Sequence, residues 1–231
     1  MTMVDLPPTS DGTATRGYLA LPPGGSGPGV VVVQEWWGLN PGIREMADRL
    51  AAAGFVALAP DLYHGELAGH DEVDKAAALM AALPLDRAAA DMAVAVDALV
   101  AHPATTGSGV GVVGFCMGGM LSLVLAANRG DVVKAAVPFY GVPSGEAEPD
   151  WTGLTAAVRG HMAGADDFFP PTVVRDLEAR LQAAGHDVHF EVHEGAGHAF
   201  MGPHDTFGTL DRELSDRLWP EVCTFLHDQL D

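Results

Sequence analysis

Two hydrophobic periodicities alternate along this chain. Residues 29–34, GVVVVQ, form an unbroken β-branched run, the pattern of a parallel strand buried on both faces. Residues 55–60, 109–115, 132–140 and 155–164 read the same way. In residues 188–193, Val188, Phe190 and Val192 alternate with His189, Glu191 and His193, which predicts one buried face and one wet face. Helical patterns lie between these runs. In LNPGIREMADRLAAAG, Asn40 suits an N-cap, Pro41 the first helical position and Gly54 the end, while Ile43, Met46, Ala47 and Leu50 share a face. Further helices are predicted at about 71–82, 86–101, 117–128, 171–184 and 209–229. GGSGPG (24–29) reads as a turn before the first central strand. The alternation predicts an α/β fold: a mostly parallel twisted sheet with helices on both faces. With no linker, repeat or low-complexity tract in 231 residues, one domain spanning 1–231 is expected.

Composition narrows the function classes. The longest apolar runs are far shorter than a bilayer span, and no signal-peptide pattern opens the sequence, so a cytoplasmic location away from membranes is expected. A formal charge of −19 would repel nucleic acid and otherwise serves solubility. The expected partner is a small molecule, on a monomer or small homo-oligomer. Two cysteines make no disulfide framework. Cys223, in LWPEVCTFL, sits among apolar residues at helical spacing and reads as a core hydrophobe, which leaves Cys116 as the thiol with unusual neighbours.

Cys116 follows a predicted strand and precedes a predicted helix, within VGFCMGGM. Gly114 and Gly118 give Gly-x-Cys-x-Gly, the sharp strand-to-helix turn that carries a serine in many hydrolases. In an open α/β sheet such a turn lifts its side chain into the crevice beyond the strand ends. A helix N-terminus favours a thiolate there, so cysteine is a competent nucleophile. The bland reading is a buried thiol beside packing glycines. A nucleophile of this kind needs an acid and then a histidine further along the chain. Asp166 or Asp167, in HMAGADDFFPP, and His198, in EGAGHAF, fall after successive strands in that order, although an aspartate after a strand often only caps a helix. The loop QEWWGLN offers an oxyanion donor, so the N–H groups of Trp36 and Met117 are the predicted pair. Glu35 is a carboxylate at a buried strand end, either a hydrogen-bonded loop residue or a contact of Cys116. His189 and His193 have no third ligand at a fitting spacing, so a solvated face and no metal are expected. His64 and His204 border the region without an assignable role.

QEWWGLN, PDLYHG, VGFCMGGM, ADDFFP and EGAGHAF together resemble the dienelactone hydrolase (carboxymethylenebutenolidase) family across nearly the whole chain. The resemblance implies an α/β-hydrolase fold, a Cys-His-Asp triad at Cys116, His198 and Asp166, and no cofactor. It also implies that Glu35 contacts the resting thiol and assists thiolate formation, and that Tyr63 is the active-site tyrosine. The implied activity is hydrolysis of small carboxylic esters or lactones through an acyl-enzyme. Two carboxylate-binding arginines of the family are not matched: Gly202 stands at one place, and Lys75 is the only cation between Tyr63 and Arg87. A non-catalytic ligand-binding protein, or a thioesterase or peptidase on the same scaffold, are the alternative readings.

Overall fold

The computed structural model describes all of residues 1–231 except 203, 204 and 206, so His204 lies outside the described residues. Eight strands form one sheet in the order β1-β2-β4-β3-β5-β6-β7-β8. The strands are β1 (Thr2–Leu6), β2 (Thr15–Ala20), β3 (Gly27–Val33), β4 (Val56–Pro60), β5 (Thr105–Phe115), β6 (Val133–Phe139), β7 (Ala157–Ala165) and β8 (Val188–Gly197). From β4 to β8 all neighbours run parallel, whereas β1 and β2 join antiparallel at one edge. The expected α/β-hydrolase architecture, mostly parallel and twisted with helices on both faces, is therefore present.

Helices α1 (Pro41–Ala52) and α6 (Arg212–Leu230) cover one face, packing Ile43, Leu50, Leu218 and Leu226 against Val30, Val32 and Val137. Helices α3 (Leu85–Ala101), α4 (Met117–Asn128) and α5 (Pro171–Ala183) cover the other, where Met92, Leu121 and Leu177 meet Val31, Val112 and Val158. A short α2 (Val73–Ala81) packs Ala76 beside Trp37. Each fully buried aliphatic side chain contributes about 1.5–3 kcal/mol, so the two apolar layers supply the main stabilisation.

Several boundaries differ from the sequence expectations. The edge hairpin β1–β2 has no continuous apolar run and gives no strand signal in the sequence. Gly27 and Pro28 belong to β3 rather than to a turn, because Gly27 pairs with Thr105 and packs against the carbonyl of Gly54, where a Cβ would collide. β8 runs through EGAG to Gly197, held by pairing of Ala165 with Gly197, and α6 begins at Arg212 behind the Asp211 cap.

Two registers position the site. β3 and β5 are neighbours with Val33 opposite Gly114, so Glu35 and Cys116 emerge side by side where the strand order reverses direction. β7 and β8 end level, which brings Asp166 and His198 out together.

Candidate active site

Cys116 caps α4 with φ 55° and ψ −118°, a left-handed conformation that costs a non-glycine residue of order 1–3 kcal/mol. The glycines around it make the turn possible. A Cβ on Gly114 would strike the carbonyl of Gly118, and one on Gly118 would strike the carbonyl of Val33. His64, Tyr140 and Ala199 are the other described non-glycine residues with positive φ. All four lie beyond the carboxyl ends of the parallel strands, so backbone strain is concentrated at one rim of the sheet.

Sγ of Cys116 lies 3.1 Å from Nε2 of His198, and Nδ1 of the same imidazole lies 2.8 Å from Oδ2 of Asp166. Oδ1 of Asp166 accepts the N–H groups of Phe168 (2.8 Å) and Phe169 (3.1 Å), so both carboxylate oxygens are engaged. Asp167 is exposed. The carbonyl of His198 accepts the Thr209 hydroxyl, and the ring stands edge-on to Tyr140 at 5.2 Å. Tyr140 is itself fixed by donating its hydroxyl to the Met201 carbonyl at 2.6 Å.

Burial pushes the Cys116 thiol above its ordinary pKa, and the charge of Glu35 pushes it further. The backbone N–H groups of Met117 and Trp36 pull the other way, because both are directed at the sulfur. These are the two N–H groups named from the sequence as oxyanion donors. Tyr63 braces them from behind: its buried hydroxyl donates to the Trp36 carbonyl at 3.2 Å and approaches the Met117 sulfur at 3.5 Å. The Tyr63 loop is held by Asp61, which accepts the N–H groups of Tyr63 and Gly65, and by Gln34, which accepts that of Leu62.

Glu35 faces away from the open side. It borders a narrow cavity of about 30 Å³ with Trp37, Asn40, Tyr140 and Gly202. Among the described residues no hydrogen bond reaches its carboxyl, and desolvation raises its pKa from 4.5 to about 7. Cys116 instead opens onto a cavity of about 510 Å³ lined by Trp36, Met80, Leu83, Met120, Phe168 and Phe207, among others. Among the described residues that lining contains no lysine or arginine. Lys75 is exposed and faces Glu72 at 4.0 Å. Arg87 donates to the Leu62 carbonyl at 3.3 Å beneath the Tyr63 loop.

His64 is a bracing residue on that loop, with Nε2 2.7 Å from the fully buried Asp91. His193 departs from the sequence expectation. It is buried rather than solvated, because the rings of His161 and Phe200 pack against it. Its neighbour is His161 of β7, whose Nδ1 lies 3.3 Å from His193 Nε2. Separation in sequence concealed this pair. His189 remains on the surface beside Glu178.

The profile of the dienelactone hydrolase family matches residues 15–230. The chain belongs to the dienelactone hydrolase family. It is 39% identical over 197 residues to protein usf of Aquifex pyrophilus, covering 83% of this chain and 84% of that one. It is 34% identical over 190 residues to a carboxymethylenebutenolidase of Pseudomonas sp. strain P51, covering 79% and 78%. A dienelactone hydrolase-like promiscuous phosphotriesterase from metagenomic libraries superposes with a TM-score of 0.83 at 26% identity, covering 100% of this chain and 99% of its own. As a dienelactone hydrolase family member, this chain is a hydrolase in the class acting on carboxylic esters and lactones. No helix among the described residues is long and apolar enough to cross a membrane.

Proposed function

We propose that this dienelactone hydrolase family member cleaves small, uncharged carboxylic esters or lactones by nucleophilic catalysis at Cys116. The observation that carries the reading is the chain of contacts from Sγ through His198 to Asp166, 3.1 and 2.8 Å long, at the floor of an apolar cavity. His198 takes the thiol proton as Sγ attacks the substrate carbonyl. Asp166 holds the ring with Nδ1 protonated and stabilises the imidazolium that forms. The N–H groups of Trp36 and Met117 receive the developing oxyanion. Collapse expels the alcohol, which leaves with the proton from His198. Water, deprotonated by the same imidazole, then hydrolyses the thioester and returns the thiol.

The cavity selects the substrate class. A carboxylate placed there would lose its hydration and meet no guanidinium or ammonium in return. Aromatic or aliphatic acyl and alcohol groups would instead gain contact with Phe168, Phe207, Met80 and Leu83. In the resting state the charge of Glu35 opposes the thiolate, so the enzyme waits as a thiol.

The test is hydrolysis of p-nitrophenyl butyrate by wild type and Cys116→Ala. Wild type is expected to turn over at least about 10³-fold faster and to show an acyl adduct on Cys116 by mass spectrometry. Equal rates for the two proteins would refute the reading and leave a ligand-binding role on the same scaffold.

A further inference from the structure

A second cluster of ligating side chains lies away from Cys116, on the sheet face covered by α6. Register places His161 of β7 opposite Glu191 of β8, and His193 follows Glu191 by two residues on the same side of the strand. Nδ1 of His161 stands 3.3 Å from Nε2 of His193 and 3.7 Å from Oε2 of Glu191, and the three donor atoms lie within 4.8 Å of one another. Two nitrogens bound tetrahedrally to zinc at about 2.0–2.1 Å would stand about 3.4 Å apart. The imidazoles already hold that span.

The surroundings suit a cation that keeps open positions. Both histidines are 7% exposed, and their rings are fixed by Phe139, stacked on His161 at 5.1 Å, and by Phe200, edge-on to His193 at 5.4 Å. Glu191 is half exposed, and a side-chain rotation that moves its carboxylate roughly an ångström toward His193 brings it to bonding distance. A cavity of about 250 Å³, bordered by His161, Glu191, Arg159 and Glu221, gives access from solvent and room for water ligands. The charged groups facing the cluster are Glu191 and Glu221, which favour a cation, and Arg159, Arg217 and His189, which oppose it when charged.

We propose that His161, Glu191 and His193 bind a first-row divalent transition metal ion, with zinc the best match to two imidazoles and one carboxylate. The ion clasps β8 to β7 five residues before His198 and is no part of the ester-cleaving chemistry. The alternative for the same atoms is a plain hydrogen bond between two neutral imidazoles.

Cobalt(II) titration of the full chain separates the two. The Cys116→Ser, Cys223→Ser double variant is used, so that no thiol competes for the ion, and visible d–d bands report the ligand set. One equivalent is expected to bind with four- or five-coordinate bands, and zinc to displace it. His193→Gln should weaken the affinity roughly 10- to 100-fold, and so should Glu191→Gln, whose half-exposed position leaves folding intact. Absence of the bands, or the same bands and affinity in Glu191→Gln and His193→Gln, would overturn the proposal.

Discussion

Trp36 and Trp37 are adjacent, yet they line different cavities, and under the proposed function the contrast would leave one thiol both open to substrate and restrained. The Trp36 side is wide, apolar and open, with Cys116 and His198 on its floor. The Trp37 side is narrow and holds Glu35, a carboxyl without a hydrogen bond among the described residues. Both sides reach Cys116, the first through contact and the second through charge. A site of this kind separates recognition from restraint, so each can be altered alone.

The largest expected effect tests the open side at its catalytic floor. Asp166→Asn should leave the fold in place and lower kcat by about 10³-fold or more, read in steady-state ester hydrolysis, because the neutral amide no longer fixes the imidazole tautomer or stabilises the imidazolium. A loss below tenfold would make Asp166 a cap for the Phe168–Phe169 turn alone. Next in size is Leu83→Arg, which places a cation in the apolar cavity. The kcat/KM ratio for a carboxylate-bearing aryl ester over its neutral analogue should rise about tenfold. No change in that ratio would show that the cavity is not where the acyl group sits.

The narrow side is probed by Glu35→Gln. The folded pKa of Glu35, about 7, lies above its ordinary 4.5, so between those values the folded chain holds a proton that the unfolded chain has lost. Stability from this group is complete below pH 4.5 and declines as pH rises to 7. Glutamine removes the charged form, so denaturation midpoints should favour Glu35→Gln at pH 8, by an energy on the order of 2 kcal/mol, and converge with wild type near pH 4. The same variant should be alkylated by iodoacetamide several-fold faster at pH 8, since the charge opposing the thiolate is gone. Slower alkylation would make Glu35 the group that accepts the thiol proton. The smallest effect is expected at the rim: Phe168→Ala, which removes a 60% exposed ring tilted against His198, should raise KM for an aryl ester about threefold with kcat little changed.

These two sides were unequally legible in the sequence. The elbow announces itself because Gly114, Cys116 and Gly118 are close together and each obeys a local steric demand. Asp166 and His198 were readable because both follow strong strand signals in chain order. The choice of Asp166 over Asp167 needed either the family resemblance or the coordinates, since periodicity does not separate adjacent carboxylates. The edge hairpin escaped notice because β1 and β2 are half-exposed strands, and pairing with each other and of β2 with β4 supplies the order that their composition lacks. His193 was misplaced on a wet face, because alternation gives the side of a strand and not what covers it. His161, 32 residues earlier in the chain, and Phe200 after the strand decide that. That the carboxyl of Glu35 has no hydrogen bond among the described residues was equally beyond reach of spacing.

The open cavity has an aliphatic and aromatic mouth, with Met80, Leu85, Phe168 and Phe207 all exposed, on a chain of formal charge −19. A neutral ester enters such a mouth readily, but its cleavage creates an anion inside it. The liberated acid then finds no counter-charge within and a like-signed field outside. Departure is favoured at every step, so accumulation of the acid in bulk solution should slow this hydrolase very little.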